Sequence, residues 1–527
     1  MKKRWMQWGA GCAALLLTAA GCESFWSHIA DDCERMLTCA HFLPDGNGGG
    51  TPSGCVPSVS DDAVADACGV FVAASGNDGS VGTKAEPIKT LAEALRRAAE
   101  TGSDVYACAE EFAEAGEIPA GVTLFGGLDC ANGWRWIGEE KKTIVAPDVD
   151  AIPLRLMRGE GTTRVEDVEA RAPDALTNGG SSIAVLADGA TVELTRCALI
   201  AGNAADGIDG DDAPSEAPER APGGSDGADA CSDLDDVEGP DAMLSGGAQV
   251  VNECGEELSI GGSGGDGNIN NGAGGVSGQT GVEGQAGAGE PPSMNESWNC
   301  GAIPNDPTKG GGSAGANGTP GTSGAGASGL GALSATGYTG VPGGDGTPGK
   351  PGQGGGGGGG ARGGPVCAGG VAGAGASGGS GGAGGCGGLP GRGGGPGGAS
   401  ITLASVDASV TLIDCTLTAG RGGNGGKGGN LQPGASGGSG GRGGVGVGGS
   451  SDGCAGGQGG KGGNGGPGGG GIGGPSLAIA FRGEPVQQQG KTMLMPGTPG
   501  AGGPGGSNNV ASNAGADGMT AAEQELP

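Results

Sequence analysis

Apolar and polar residues alternate only in short islands, and the stretches between islands carry no apolar period at all. Val70, Phe71, Val72 and Ala73 predict a strand, and Gly76-Asn77-Asp78-Gly79 predicts the turn after it. Ile88, Leu91, Leu95 and Ala98 recur at helical spacing and predict a helix starting near Pro87. Two more strands are expected in DVYACA and GVTLFGGL. Val165 and Val168 face inward in a further strand-bearing segment, TTRVEDVEARAP.

The pattern then repeats. Residues 182–202, SIAVLADGATVELTRCALIAG, align without a gap with residues 400–420, SITLASVDASVTLIDCTLTAG, at an offset of 218 positions. Ile183 falls on Ile401, Val192 on Val410, Leu194 on Leu412, Cys197 on Cys415 and Leu199 on Leu417. A degraded third copy begins at Ser476, with Leu477, Ile479 and Val486 in register and Met493 near its end. Within a copy the alternation slips phase across Ile413-Asp414, which a corner between two short strands requires. No Asn-Gly turn stands at the slip, so an antiparallel hairpin is disfavoured. A copy of about 21 residues with such a corner suits one coil of a parallel β-helix. Residues 205–398 and 421–474 then become insertions at one corner, because each follows the Ala-Gly that ends a copy.

Composition sharpens this picture. Glycine (134) and proline (31) approach a third of the 527 residues, a level typical of non-globular segments. GGNGGKGGN, GGSGGRGGV and GGQGGKGGNGGPGGG place glycine at two positions of every three. A helix with three residues per turn would put every side chain on one edge and leave two glycine edges for neighbours. These tracts resemble glycine-rich repeats of the PGRS type. For 421–474 a polyglycine-II-like bundle and a disordered loop stand side by side; for 205–300 disorder is expected. GGDGTPGKPGQG from Gly343 keeps a G-x-y period for too few triplets to form a triple helix.

The N-terminus reads as an export signal. Met1-Lys2-Lys3-Arg4 precedes a short apolar run from Trp8 to Thr18, too short to be a permanent span. Its ending, Ala19-Ala20-Gly21-Cys22, resembles the lipobox of bacterial lipoproteins, which implies lipid attachment at Cys22, Sec export and an outer-membrane or cell-surface location. VFVAASGNDGSVGTKAEPIKTLAEAL and VTLFGGLDCANGWRW, within residues 68–136, resemble the N-terminal segment of exported right-handed parallel β-helix proteins of the pectate-lyase type. There a short helix caps the first open coil. The expected fold is therefore all-β: a short right-handed parallel β-helix with an N-terminal capping helix and glycine-rich insertions. Its segments are the signal peptide (1–21), a cysteine-containing tether (22–65), the cap and first coils (66–150), further coils (151–204), an acidic then glycine-rich insertion (205–398), a coil (399–420), a GGx insertion (421–474), a terminal coil (475–497) and a disordered tail (498–527).

Candidate chemistry is sparse. The net charge of -31 excludes a basic nucleic-acid-binding surface. The two histidines, His28 and His41, both lie in the tether, so no Ser-His-Asp, Cys-His or HExxH site can form in the coils. Of the 16 cysteines, 14 remain after Cys12 and Cys22, an even number without a CxxC pair, and export favours disulfides. Equivalent positions on adjacent coils lie ~4.8 Å apart, which makes Cys197–Cys415 a candidate inter-coil disulfide; two stacked thiols are the alternative. Arg196 stacks over Asp414 as a surface pair. Asp206, Asp209, Asp211 and Asp212 open an acidic run that forms a candidate calcium set, and GGSGGDGNI at 261–269 resembles a calcium-binding nonapeptide. No other cofactor is expected. These observations point to a non-enzymatic, lipid-anchored structural or adhesive surface protein. Two alternatives remain, a carbohydrate-binding or degenerate polysaccharide-lyase-type β-helix and a calcium-binding surface protein, and an extracellular polysaccharide is a candidate partner.

Overall fold

The computed structural model describes residues 53–59, 63–232, 242–279, 281–292, 298–299, 306–364, 367, 372–507 and 512–527. Strand (25%) outweighs helix (6%), and three sheets of parallel strands build the body of the molecule. Sheet 1 contains Gly69–Val72, Asp104–Cys108, Thr123–Asp129, Thr162–Glu166, Thr191–Thr195, Ser409–Ile413 and Gln487–Gln489, with Arg135–Trp136 added antiparallel. Sheet 2 runs from Glu111–Phe112 through Thr143–Val145, Val168–Arg171, Ala198–Ile200 and Thr416–Thr418 to Met493–Met495. Sheet 3 runs from Gly116–Ile118 through Leu154–Leu156, Ser182–Asp188, Ser400–Val406 and Ser476–Arg482 to Thr520–Glu525. From Asp104 onward the chain visits sheets 1, 2 and 3 in rotation, and apart from the added Arg135–Trp136 each circuit contributes one strand to each sheet.

The repeat offset is the pairing register. Ile183 lies beside Ile401, Val192 beside Val410, Leu194 beside Leu412 and Leu199 beside Leu417. In the third copy Leu477 pairs with Ile401 and Ile479 with Leu403. Inward side chains of all three sheets form one buried cluster, including Val165, Val168, Leu194, Leu403, Leu412 and Ile479. Two corners are made by residues with positive φ. Asp167, Arg196, Asp414 and Gly490 stack at the turn from sheet 1 to sheet 2, and Gly189, Asp407 and Gly483 at the turn from sheet 3 to sheet 1. A single left-handed residue reverses the side-chain phase, which is the slip visible at Ile413-Asp414.

Helix Leu91–Thr101 starts four residues later than Pro87 implied, with the Thr90 hydroxyl accepting the Glu93 N–H as its cap. Leu91, Leu95 and Ala98 are buried against the first strands. Ile88 precedes the helix and instead bridges Val72 in the ladder. At the far end, Glu523 accepts the Val486 N–H and the Gln488 side-chain amide, so polar groups close the last circuit.

At the corner from sheet 2 to sheet 3 the glycine tracts depart, and a serine ladder holds their base. The Gly420 N–H donates to Ser400 Oγ (2.9 Å), which donates to Gly202 O (2.8 Å). The Gly497 N–H donates to Ser476 Oγ (2.8 Å), which donates to Gly420 O (2.7 Å). Ser182 and Thr520 extend the ladder at either end.

The tracts are ordered, which corrects two expectations. In their described parts, residues 205–300 are not a disordered loop and residues 498–527 are not a disordered tail. N–H groups of Ala204, Gly207, Gly210 and Ala213 donate to carbonyls of Arg421, Asn424, Lys427 and Asn430, one bond every third residue. Gly500, Gly503 and Gly506 bond likewise to Gly474, Gly471 and Gly468, and Thr520–Glu525 joins sheet 3. Backbone hydrogen bonding at every third residue satisfies the polar groups of a segment that has almost no apolar surface to bury. At the ~3.1 Å rise of such a helix, residues 421–445 extend about 75 Å from the corner.

Glycine content follows the number of neighbours. Gly354–Gly360, a run of seven glycines, has six. Its N–H groups reach carbonyls in 273–279, 379–382 and 310–313, and its carbonyls receive N–H groups from 262–265, 287–290 and 454–457. A Cβ on Gly357 would stand 1.8 Å from Ser263 O. The tract at 453–475 presents Gln458, Lys461 and Asn464 to solvent, but its third edge turns to glycine at Gly470 and Gly473, where 497–518 pack against it. Segment 343–352, with Gly343, Gly346, Gly349 and Gly352 facing inward, needs one glycine edge, which accounts for its G-x-y period. Gly357→Ala is expected to destabilise the rod by more than about 2 kcal/mol. Lys461→Ala, on the exposed edge, is expected to stay within about 0.5 kcal/mol, with thermal melting of both variants as the measurement.

Candidate functional site

The acidic run lies on the first tract, and its carboxylates do not converge. The Asn424 N–H donates to Asp206 (2.7 Å), Lys427 N–H to Asp209 (2.7 Å) and Asn430 N–H to Asp212 (2.6 Å). Asp226 and Asp229 repeat the contact with the N–H groups of Arg442 and Val445. Residues three apart on such a helix are separated by about 9 Å, too far to share one cation. Of Asp206, Asp209, Asp211 and Asp212, the candidate calcium set, three cap backbone donors one at a time and Asp211 is engaged through its carbonyl, by the Arg392 N–H. Asp266 of the GGSGGDGNI stretch likewise accepts the Gly246 N–H. Among the described residues no group of three or more His, Cys, Asp or Glu side chains is placed to hold a metal ion.

This capping continues across the face. Asn424 and Asn430, capped by aspartates, offer their own side-chain oxygens to the N–H groups of Ala501 and Ser507. Between them Lys427 has no acceptor to offer, and its neighbour there is Pro504, whose nitrogen carries no hydrogen.

Cys197 and Cys415 are stacked, buried and free, which corrects the candidate disulfide. In-register positions on parallel strands carry parallel side chains, and the two thiols stack in contact with each other without a bond between them, each also touching a backbone oxygen. Cys197 Sγ lies 3.3 Å from Val165 O and Cys415 Sγ 3.2 Å from Leu194 O. The Cys197 N–H donates to Cys415 Sγ (3.4 Å), and the Cys415 N–H to Thr492 Oγ1 (3.4 Å). The thiol therefore caps the donor freed by the corner on the circuit before, a role that a threonine hydroxyl fills in the third copy. Burial pushes the Cys197 thiol well above its usual value. Disulfides instead join Cys55–Cys68, Cys108–Cys130, Cys231–Cys367 and Cys254–Cys386, and Cys454 is also disulfide-bonded.

Arg196 does not pair with Asp414. Its guanidinium reaches back one circuit to Glu166 (2.8 Å) and to both oxygens of Asp167 (3.0 and 2.8 Å), beneath the Trp136 ring. Trp136 Nε1 donates to the same Asp167 carboxylate, and burial pushes the Glu166 carboxyl up. Asp414 instead accepts the Lys491 N–H. Every charge in this group has a partner, so it braces the corner; no spacing rule pointed to Trp136 or Glu166.

Asp150 and Arg155, close in sequence but without a motif, share a cleft of about 310 Å³ with Thr177, Ser181, Thr336 and Tyr338. The cleft lies where hairpin Ala332–Thr339 of the first insertion covers the outer face of sheet 3 through Leu333. Arg155 Nη1 and Arg482 Nη1 donate to carbonyls of that hairpin. Asp150 accepts the Leu176 and Thr177 N–H groups, which hold its carboxyl below the ordinary value.

Cys22, His28 and His41 lie outside the described residues, and among those described no helix is long and apolar enough to cross a membrane. Compared with known proteins, the chain matches no family model, no curated protein and no solved structure.

The capped rungs imply a pH response. The Asn430 N–H holds Asp212, and the Gly393 N–H and Arg392 hold Asp345, below the ordinary carboxyl value of 3.8. A carboxyl depressed by folding stabilises the rod above its unfolded value and loses that contribution as pH falls through the folded one. The circular-dichroism signal of the extended helices is expected to hold from pH 7 to about 4 and to fall below that. A flat titration to pH 2 would contradict the capping role.

Proposed function

We propose that the chain is a non-enzymatic surface protein in which a short right-handed parallel β-helix displays a polyglycine-II-like rod. The reading rests chiefly on one observation: all three glycine-rich insertions leave the same corner and bond to one another every third residue. Three parallel sheets visited in rotation and the in-register repeats support the β-helix. The buried charges Glu166, Asp167 and Arg196 are paired with one another and with Trp136, which favours a bracing role for that group over a catalytic one. The lipobox-like ending at Cys22 supplies the anchor, and a rod of about 75 Å would carry its far end well beyond the lipid headgroups.

A carbohydrate-binding reading draws on the cleft, where Arg155, Asp150 and Tyr338 combine a cation, an acceptor and a ring. Two experiments test these readings. A membrane-impermeant amine reagent is expected to label the exposed Lys350 and Lys461 on intact cells as fully as in lysates. Labelling only after lysis would overturn surface display. Saturable binding of acidic oligosaccharides, lost in Arg155→Ala, would favour the carbohydrate reading.

A further inference from the structure

Rod and body are held together by different physics. The body buries one continuous apolar cluster, from Val70 to Val486. The rod buries two small groups, Ala230, Trp298, Ala361, Ala376 and Cys454 in one and Ala242, Leu244 and Ala374 in the other. Its glycines lose more backbone freedom on ordering than any other residue, and each backbone hydrogen bond returns little net stability. Cross-links are its remaining source of order, and their positions fit that role. Cys231–Cys367 joins the outgoing first tract to the returning one at the end far from the corner, closing 136 residues. Cys254–Cys386 ties the hairpin Val250–Gly261 across the middle of the returning tract, closing 132 residues. Loops of this length are where a disulfide removes the most freedom from the unfolded chain. The base needs no staple, because its tracts start from the strand ladder and the serine rungs. The central circuits of the body carry the two free thiols.

We propose that the order of the rod is conditional on its disulfides, so that a dithiol reductant dismantles it from the far end and leaves the three-sheet body folded. Each exchange passes two electrons from the reagent to the protein: one protein disulfide becomes two cysteine thiols, and the dithiol closes to a cyclic disulfide. The rod is then a redox-released element on a base whose own disulfides, Cys55–Cys68 and Cys108–Cys130, staple its N-terminal end while the central circuits rest on the apolar cluster.

Trypsin digestion of the full chain, with and without dithiothreitol, reads this directly. With thiol counting used to establish complete reduction of the rod disulfides, cleavage after Arg442 and Lys461 is expected to accelerate about tenfold or more. Cleavage after Arg171 and Arg196 in the body should not change, and Cys197 and Cys415 should stay unreactive. Cys231→Ser/Cys367→Ser is expected to open Arg442 without reductant while Arg392, nearer the base, stays closed. Rod sites that remain closed after full reduction would overturn the proposal. So would body sites that open at the same rate as rod sites, because rod and body would then be one cooperative unit.

Discussion

Three neighbouring backbones can press on one chain at hydrogen-bonding distance only where no Cβ stands between them. That steric condition governs the rest of this structure. Where a carbonyl of a neighbouring tract occupies the space a methyl group would need, the residue must be glycine; at Gly357 the clearance is 1.8 Å. Edges facing solvent are free to vary. Glycine content therefore counts contacts, with one glycine edge at 343–352, two at 421–445 and three at Gly354–Gly360. Low sequence complexity here specifies position in a lattice rather than freedom from structure.

The body supplies what the tracts cannot supply alone. Chains of glycine lose much entropy on ordering and gain almost no apolar burial. Strands in register fix the starting points of successive tracts at the ladder spacing of ~4.8 Å, and the serine rungs at Ser182, Ser400 and Ser476 carry that spacing into the first glycines. Exposed lattice edges then pose the difficulty of any open sheet, unpaired donors that invite further pairing. Asp206, Asp209 and Asp212 remove those donors with side-chain oxygen, Asn424 and Asn430 pass the device one tract further, and Pro504 has no donor to remove. Part of the strong negative charge of the chain is thus accounted for by backbone capping rather than by a ligand.

The repeats were legible because period-two alternation and a fixed offset survive insertions of any length. Register, corner and insertion site all follow from comparing SIAVLADGATVELTRCALIAG with SITLASVDASVTLIDCTLTAG. Order in the tracts was half legible: the GGx period shows which edges are bare, but not that partners exist to fill them. The third insertion escaped notice because 498–518 is short and its pairing strand, Thr520–Glu525, has alanine and glutamate where the other copies have leucine and isoleucine. Cys197 and Cys415 misled for a physical reason. Proximity in a ladder meets the distance condition for a disulfide, yet the two thiols lie stacked and unbonded, each also in contact with a backbone oxygen. The capping aspartates cluster in sequence without converging in space, because side chains three residues apart on the tract stand ~9 Å apart.

The account stands or falls on whether the glycine tracts are hydrogen-bonded along their length. Amide hydrogen exchange of the intact, oxidised chain, followed by mass spectrometry, measures this at Gly354–Gly360. There seven consecutive residues have no side chain to protect them and owe all protection to six neighbouring backbones. The lattice predicts exchange slowed to the level of the buried strands Ser182–Asp188 and Ser400–Val406. Exchange of that run at the rate of an unstructured peptide would contradict it.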